Sequence, residues 1–377
     1  QPLMLSLAGQ PFIDTRLSFH SYLPDGLSPK ISEKLVDTWV ANLQAKPELH
    51  DKVEFEVAIT TFSFDIDDKI ELLIGDALND LEKSEFKEAL RHQTRVLLEG
   101  NTDGGICHTL LKIEELAKKQ IINNQLPQTQ DITTLYEMID DCIQLGTVPF
   151  SILARHGFIA RTILLSLNSC GILSMDDIHS IQSGVRTVAS TLVNDMRHLQ
   201  LGELSRTDFM SEYGHLRPGT YDILSQRYDQ MPDLGLNNTQ VNPEQELNKF
   251  VFSKLQKSKI DQLLQDQEFP EIDAEKLLVY IQDATVAREY GKFVFTRSIS
   301  DMLEIIAEYG EQHGLIREEM SHVSLDSLLD VVTKSTEDSI EEHLRSIAEA
   351  ESEQHAISVA IRLPQILFDE AGVHVIP

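Results

Sequence analysis

The strongest constraint in this chain is a run of apolar residues at helical spacing. Ile178, Ile181, Val185, Val188, Leu192, Met196 and Leu199 follow one another in steps of 3, 4, 3, 4, 4 and 3. Such steps hold one face of a 3.6-residue helix in register for about six turns. Ser174 followed by Asp177 supplies a capping box at the start. The same reading predicts helices over Leu110–Ile121, Leu135–Leu145, Ile152–Leu167, Leu277–Phe295 and Ile299–His313. Amphipathic helices of this length must bury their apolar faces against one another, so the expected body is a helical bundle.

The first residues read differently. Leu3, Leu5 and Leu7 alternate at period two, Ala8-Gly9-Gln10-Pro11 forms a turn, and Phe12–Tyr22 reads as a second strand. A loop over Pro24–Pro29, a helix over Ile31–Lys46 and a return to β character over Val53–Phe62 follow. The expected fold is therefore mainly α: a small α+β portion over 1–66 and a helical domain over 67–377. Met231–Glu246, with two prolines, a glycine and paired asparagines, is the best loop in the second half. Glu337–Glu353 reads as a solvated acidic helix face.

Composition excludes some classes of function. Asp and Glu total 61 against 32 Lys and Arg, a net charge of −29. That field repels phosphate backbones and anionic headgroups, so neither nucleic acid nor a membrane surface is an expected partner. No run of 18 apolar residues is read in the sequence, so no membrane span is expected. Cys107, Cys142 and Cys170 are odd in number and never in C-x-x-C spacing, which fits a reducing cytoplasm. Both ends read as cut from a longer polypeptide, because the chain opens on Gln1 in strand-like sequence and closes on His374-Val-Ile-Pro377.

Phosphate-binding loops, dinucleotide fingerprints, H-E-x-x-H and nucleophile elbows are missing. Three groups of side chains stand out instead. In Tyr213-Gly-His-Leu-Arg-Pro-Gly-Thr-Tyr-Asp222, two glycines and a proline fix a tight turn from which His215 and Arg217 project. Arginine offers a planar fork of donors to a carboxylate or phosphate, and histidine moves protons near neutral pH. The bland alternative is a structural turn in which Arg217 pairs with an acid and His215 packs. Arg288, Lys292 and Arg297 form a local cationic group, although neutralisation by Glu289 and ion pairing between helices is the commoner outcome for such a group. Arg155 and Arg161 flank His156 in an apolar helix, where cations are either buried and paired or face a cleft. Asp65, Asp67 and Asp68 have the donors for Mg²⁺, but acids at a helix start are the commoner case, and no metal is expected.

Residues 213–222 resemble the G-H-R-G/P segment of phosphoenolpyruvate synthase-like and rifampicin-phosphotransferase-like enzymes, the pyruvate phosphate dikinase group. Arg288–Leu303, REYGKFVFTRSISDML, is similar to the helical segment that follows it there. GQPFIDTRLSFHSYLP (9–24) and ELHDKVEFEV (48–57) resemble the stretch after the ATP-grasp domain, and Ile361-Arg-Leu-Pro364 the approach to the phosphohistidine domain. The resemblance implies a three-part phosphotransferase using ATP and Mg²⁺, in which a phosphohistidine domain swings between the ATP-grasp domain and an acceptor site. This chain corresponds to the central part alone. It has neither the Gly-rich Ser-His segment nor the ATP-grasp part, so by itself it is expected to bind no cofactor and to be inactive. Its implied partners are those two flanking domains and, in one reading, a small-molecule acceptor held by Tyr213, His215, Arg217, Arg288, Lys292, Arg297, Arg155 and Arg161. In the other reading it is a non-catalytic helical scaffold that spaces and docks the flanking domains.

Overall fold

A computed structural model describes residues 2–100, 102–125, 132–232, 234, 249–333 and 339–368. The fold is mainly α, with a small N-terminal α+β portion. Strands β1 (Met4–Leu7) and β2 (Gln10–Ile13) pair antiparallel, Leu7 opposite Gln10. The two-residue turn puts both Ala8 (φ 51°) and Gly9 (φ 76°) in the left-handed region, as a primed hairpin turn requires. The expected strand over Phe12–Tyr22 ends early, because the Asp14 carboxylate accepts the Leu17 N–H (3.0 Å) and starts helix α1 (Thr15–His20).

Helix α2 (Pro29–Ala45) is capped by Ser28 and carries Pro29 in its first turn, where a missing N–H costs nothing. It buries Ile31, Leu35, Val36, Trp39 and Leu43, with the Trp39 ring edge-on to Phe19 at 6.0 Å between centroids. The predicted β stretch Val53–Phe62 is instead a π-helical turn, Val53–Val57, followed by an extended segment without a strand partner. Its β-branched residues are buried, but by helices rather than by a sheet. Helices α3 (Ile66–Leu73), α4 (Asp80–Glu99) and α5 (Ile106–Gln125) follow. Asn79 and Glu82 form the capping box of α4, and Lys34 of α2 binds Glu82 at 2.6 Å.

Helix α6 (Leu135–Asp141), a π-helical turn (Cys142–Thr147) and α7 (Val148–Ser169) form one continuous helical stretch. By length and mean hydropathy Ile132–Ser169 is apolar enough to cross a membrane, although no uninterrupted run of 18 apolar residues occurs within it. Half of its most apolar window is buried, and α7 packs on α5 and on helix α12 (Ala274–Gln312), as a core helix does. Small residues permit the approach. A Cβ on Gly146 would stand 2.9 Å from Phe295 Cβ, and one on Gly291 3.0 Å from a Leu153 methyl. Gln120 of α5 is buried in the same layer and donates to the Val294 carbonyl (2.8 Å) and Ser298 Oγ (2.7 Å). Gly146→Val is expected to destabilise by about 1–3 kcal/mol through overpacking, read as a lower urea midpoint with unchanged helical circular dichroism.

The long helix predicted over 178–199 is two helices, α8 (Met175–Ser183) and α9 (Val188–Gln200). The capping box at Ser174 is present, but a second one, Thr187 with Ser190, restarts the chain after a turn at 184–187. Helices α10 (Arg206–Tyr213) and α11 (Lys254–Asp266) precede α12, a single 39-residue helix where two were expected. Most of the loop expected at 231–246 lies outside the described residues. Helices α13 (Arg317–Met320), α14 (Leu325–Thr333) and α15 (Ile340–Ala360) close the chain. The acidic stretch 337–353 falls mainly on α15, with 337 and 338 outside the described residues.

One apolar core runs without a break from Phe19 and Trp39 through α4, α5 and α7 to Phe295, so the N-terminal portion and the bundle share it. A second core gathers around Ile305, Leu315, Met320, Leu328 and Leu344 at the far end of α12. The N-terminal hairpin lies against the end of α15, where Gln10 donates to the Ile361 carbonyl (2.7 Å).

Candidate functional site

Residues 213–230 form a loop clasped onto α12. The Tyr228 N–H donates to the Leu216 carbonyl (2.8 Å) and the Asp229 N–H to Gly214 (3.2 Å), which closes the loop on itself. Arg217 is its anchor. Its Nε donates to Ser300 Oγ (3.2 Å), and its Nη1 to the carbonyls of Asp222 (3.0 Å) and Ser225 (3.1 Å). Its Nη2 reaches Ser300 and Glu304 Oε1 (2.8 Å). All five guanidinium N–H groups are thereby used.

Glu304 is equally saturated. Besides Arg217 it accepts from both Nη atoms of Arg317 (2.9 and 2.7 Å) and from Gln230 (2.6 Å). Beside it, Arg227 bridges Asp301 (2.7 Å) and Asp229 (2.9 Å). Burial alone would raise the Glu304 carboxyl, but hydrogen bonds from Arg317, Gln230 and Arg217 outweigh it and hold it down to about 2.

His215 is 4% exposed and packs edge-on to Phe293 at 4.8 Å. Burial, and then the charges of Arg297 and Arg227, push its imidazole down to about 2, so it stays neutral across the physiological range. Its Nε2 is buried without a hydrogen-bond partner. Tyr213 is buried and donates to Asp195 (2.8 Å), and burial raises its phenol.

The other candidates are drawn to different neighbours. The Arg297 guanidinium donates to the Glu212 carbonyl (2.5 Å) and lies over Phe293. Arg288 leans on Gly157, where a Cβ would stand 2.8 Å from its Cδ, and faces Glu289 at 3.6 Å. Lys292 is exposed and lines a cavity of about 180 Å³ with His215, Thr220, Glu289 and Thr296. Arg155 is half-buried, donates to the Thr60 carbonyl (3.1 Å), and is lowered by burial. Between it and Arg161, His156 bridges the Gly104 carbonyl (2.8 Å) and the Tyr280 hydroxyl (2.9 Å). Because a carbonyl only accepts, Nε2 carries the proton and Tyr280 donates to Nδ1. Arg161 lies over the Phe55 ring at 5.3 Å.

The three aspartates are not gathered. Asp65 binds Lys69 (3.2 Å) and Asp67 binds Lys87 (2.8 Å). Among the described residues no His, Cys, Asp and Glu cluster of three or more is placed to hold a metal ion. Sequence reasoning missed Glu304, Asp301, Arg227 and Arg317, which organise the loop. No protein-family model, curated protein or solved structure matches the chain.

Proposed function

We propose that this chain is the central, linking domain of an ATP-dependent phosphotransferase of the phosphoenolpyruvate synthase-like group, working in the cytoplasm between an ATP-grasp and a phosphohistidine domain. The sequence resemblance supplies the class. One observation favours the scaffold role over acceptor binding at the 213–222 motif: every donor of Arg217 is spent on protein acceptors, and its side chain is 1% exposed. An arginine held that way has no N–H left for a carboxylate or a phosphoryl group. His215, neutral and with its Nε2 enclosed, is a weak base for an acceptor hydroxyl. The motif is thus a clasp that gives the domain its shape, and ATP, Mg²⁺ and the phosphohistidine belong to the flanking domains. The three cysteines are free, which fits a reducing compartment.

Acceptor binding retains one supporting observation, the exposed Lys292 ammonium on the 180 Å³ cavity. The two roles separate in the full-length parent protein, incubated with ATP and Mg²⁺ while AMP and phosphate release are followed with and without pyruvate. For the scaffold, Lys292→Met leaves AMP formation within about threefold of wild type. A loss beyond about tenfold with an intact fold moves the assignment to an acceptor site at Lys292. Absence of ATP-dependent AMP formation from the parent removes the phosphotransferase class itself.

A further inference from the structure

A larger cavity, about 540 Å³, lies between the extended segment 58–61, α3 and α7. Its wall is rich in hydrogen-bond donors without partners. Ile59, Thr60 and Thr61 are buried, at 3%, 8% and 4% exposure, and no described residue accepts from their backbone N–H groups. Buried N–H groups of that kind are ordinarily satisfied by protein, water or ligand. Among the described residues, the hydroxyls of Thr60 and Thr162, both residues 8% exposed and both on the wall, also have no hydrogen-bond partner. The Thr60 carbonyl is already taken by Arg155, which leaves the Thr60 N–H and hydroxyl as its polar groups without a partner among the described residues.

Arg161 adds the charge. Its guanidinium is braced over Phe55 and forms no ion pair with any described carboxylate. The other cations of the wall are engaged, Lys69 with Asp65 at 3.2 Å and Lys52 with Glu56 at 4.0 Å. Glu54 accepts from the Tyr22 hydroxyl at 3.2 Å.

We propose that this cavity binds a small carboxylate, with Arg161 as its counter-ion and the Thr60 and Thr162 hydroxyls as donors to its oxygens. A carboxylate fits better than a phosphate. Asp51 and Glu54 stand on the same wall in a chain of net charge −29, and their repulsion doubles against a dianion. The site shares Arg161 with the candidate acceptor residues but uses neither the clasp nor a flanking domain, so its test does not depend on the phosphotransferase reading.

The test uses the chain as it stands, with saturation-transfer NMR and thermal shift on acetate, glutamate and gluconate, and inorganic phosphate as the competing anion. Saturable binding of at least one carboxylate is expected, weakened about tenfold or more by Arg161→Gln and by Thr60→Val, with Tm of the free variants close to wild type. Phosphate binding in preference to every carboxylate overturns the ligand class. Binding that survives Arg161→Gln overturns the site, as does no saturable binding by any probe.

Discussion

Glu304→Ala is expected to destabilise the protein by about 3–5 kcal/mol, measured as a lower urea midpoint at neutral pH. The Glu304 side chain is 12% exposed and is the shared counter-charge of Arg217 and Arg317. Removing it leaves Arg217 buried with a positive charge and no carboxylate, the costly half of a broken pair. The 213–230 loop then loses one of its attachments to α12 and keeps those of Arg217 and His215 with Ser300 and of Arg227 with Asp301, so faster proteolysis within that loop should accompany the fall in stability. The same carboxyl sets a pH dependence. Its folded value, about 2, lies below the ordinary 4.5, so the group favours the folded state wherever the unfolded chain would already be ionised. That contribution is fully present above pH 4.5 and is lost as the pH falls towards about 2. The stability gap between wild type and Glu304→Gln should accordingly narrow across that acid window. A gap that is the same at pH 7 and at the acid end would show that Glu304 is not the linked group.

Phe86→Ala is expected to cost about 3–5 kcal/mol and to report on itself optically. Phe86 is fully buried, with its ring 6.3 Å from that of Trp39, the only tryptophan in the chain. Trp39 is also fully enclosed, and its indole N–H has no acceptor. Truncating Phe86 removes a ring packed against the indole and opens a space near a donor without an acceptor, so the surroundings of Trp39 become looser and more polar. The emission of Trp39 should therefore shift to the red in the folded variant, before any denaturant is added. An unshifted spectrum would mean that the neighbouring side chains close the gap.

The helices were legible where apolar period and capping agreed. Ser174 with Asp177 marks a start that the fold uses, whereas the capping box of Asn79 with Glu82 opens a helix over Asp80–Glu99 that the sequence reading did not place. Periodicity alone overran the turn at 184–187, because Val185 and Val188 keep the helical spacing while Thr187 caps the next helix instead. It also divided α12 at 296–298, three polar residues that the helix in fact retains. Thr296 returns its hydroxyl to the Lys292 carbonyl (2.8 Å), and Ser298 meets Gln120 across the core. Val53–Phe62 has strand composition but no second strand beside it, and a strand is made by its partner. Within the site, the turn at 213–222 was visible from its glycines and proline. The residues that decide its chemistry were not. Glu304 lies 87 positions from Arg217, and Asp301 lies 74 from Arg227, so only the folded chain brings the charges together.

Helix α12 passes through both apolar cores, and at 39 residues it is about 58 Å from end to end. It therefore acts as a lever. Ala284 and Ala287 fix it in the first core, Ile305 and Ala307 in the second, and among the described residues no proline interrupts it to serve as a hinge. A tilt of about 5° at one end would carry the other by about 5 Å. A displacement imposed on α12 within one core would thus be carried along the helix into the other.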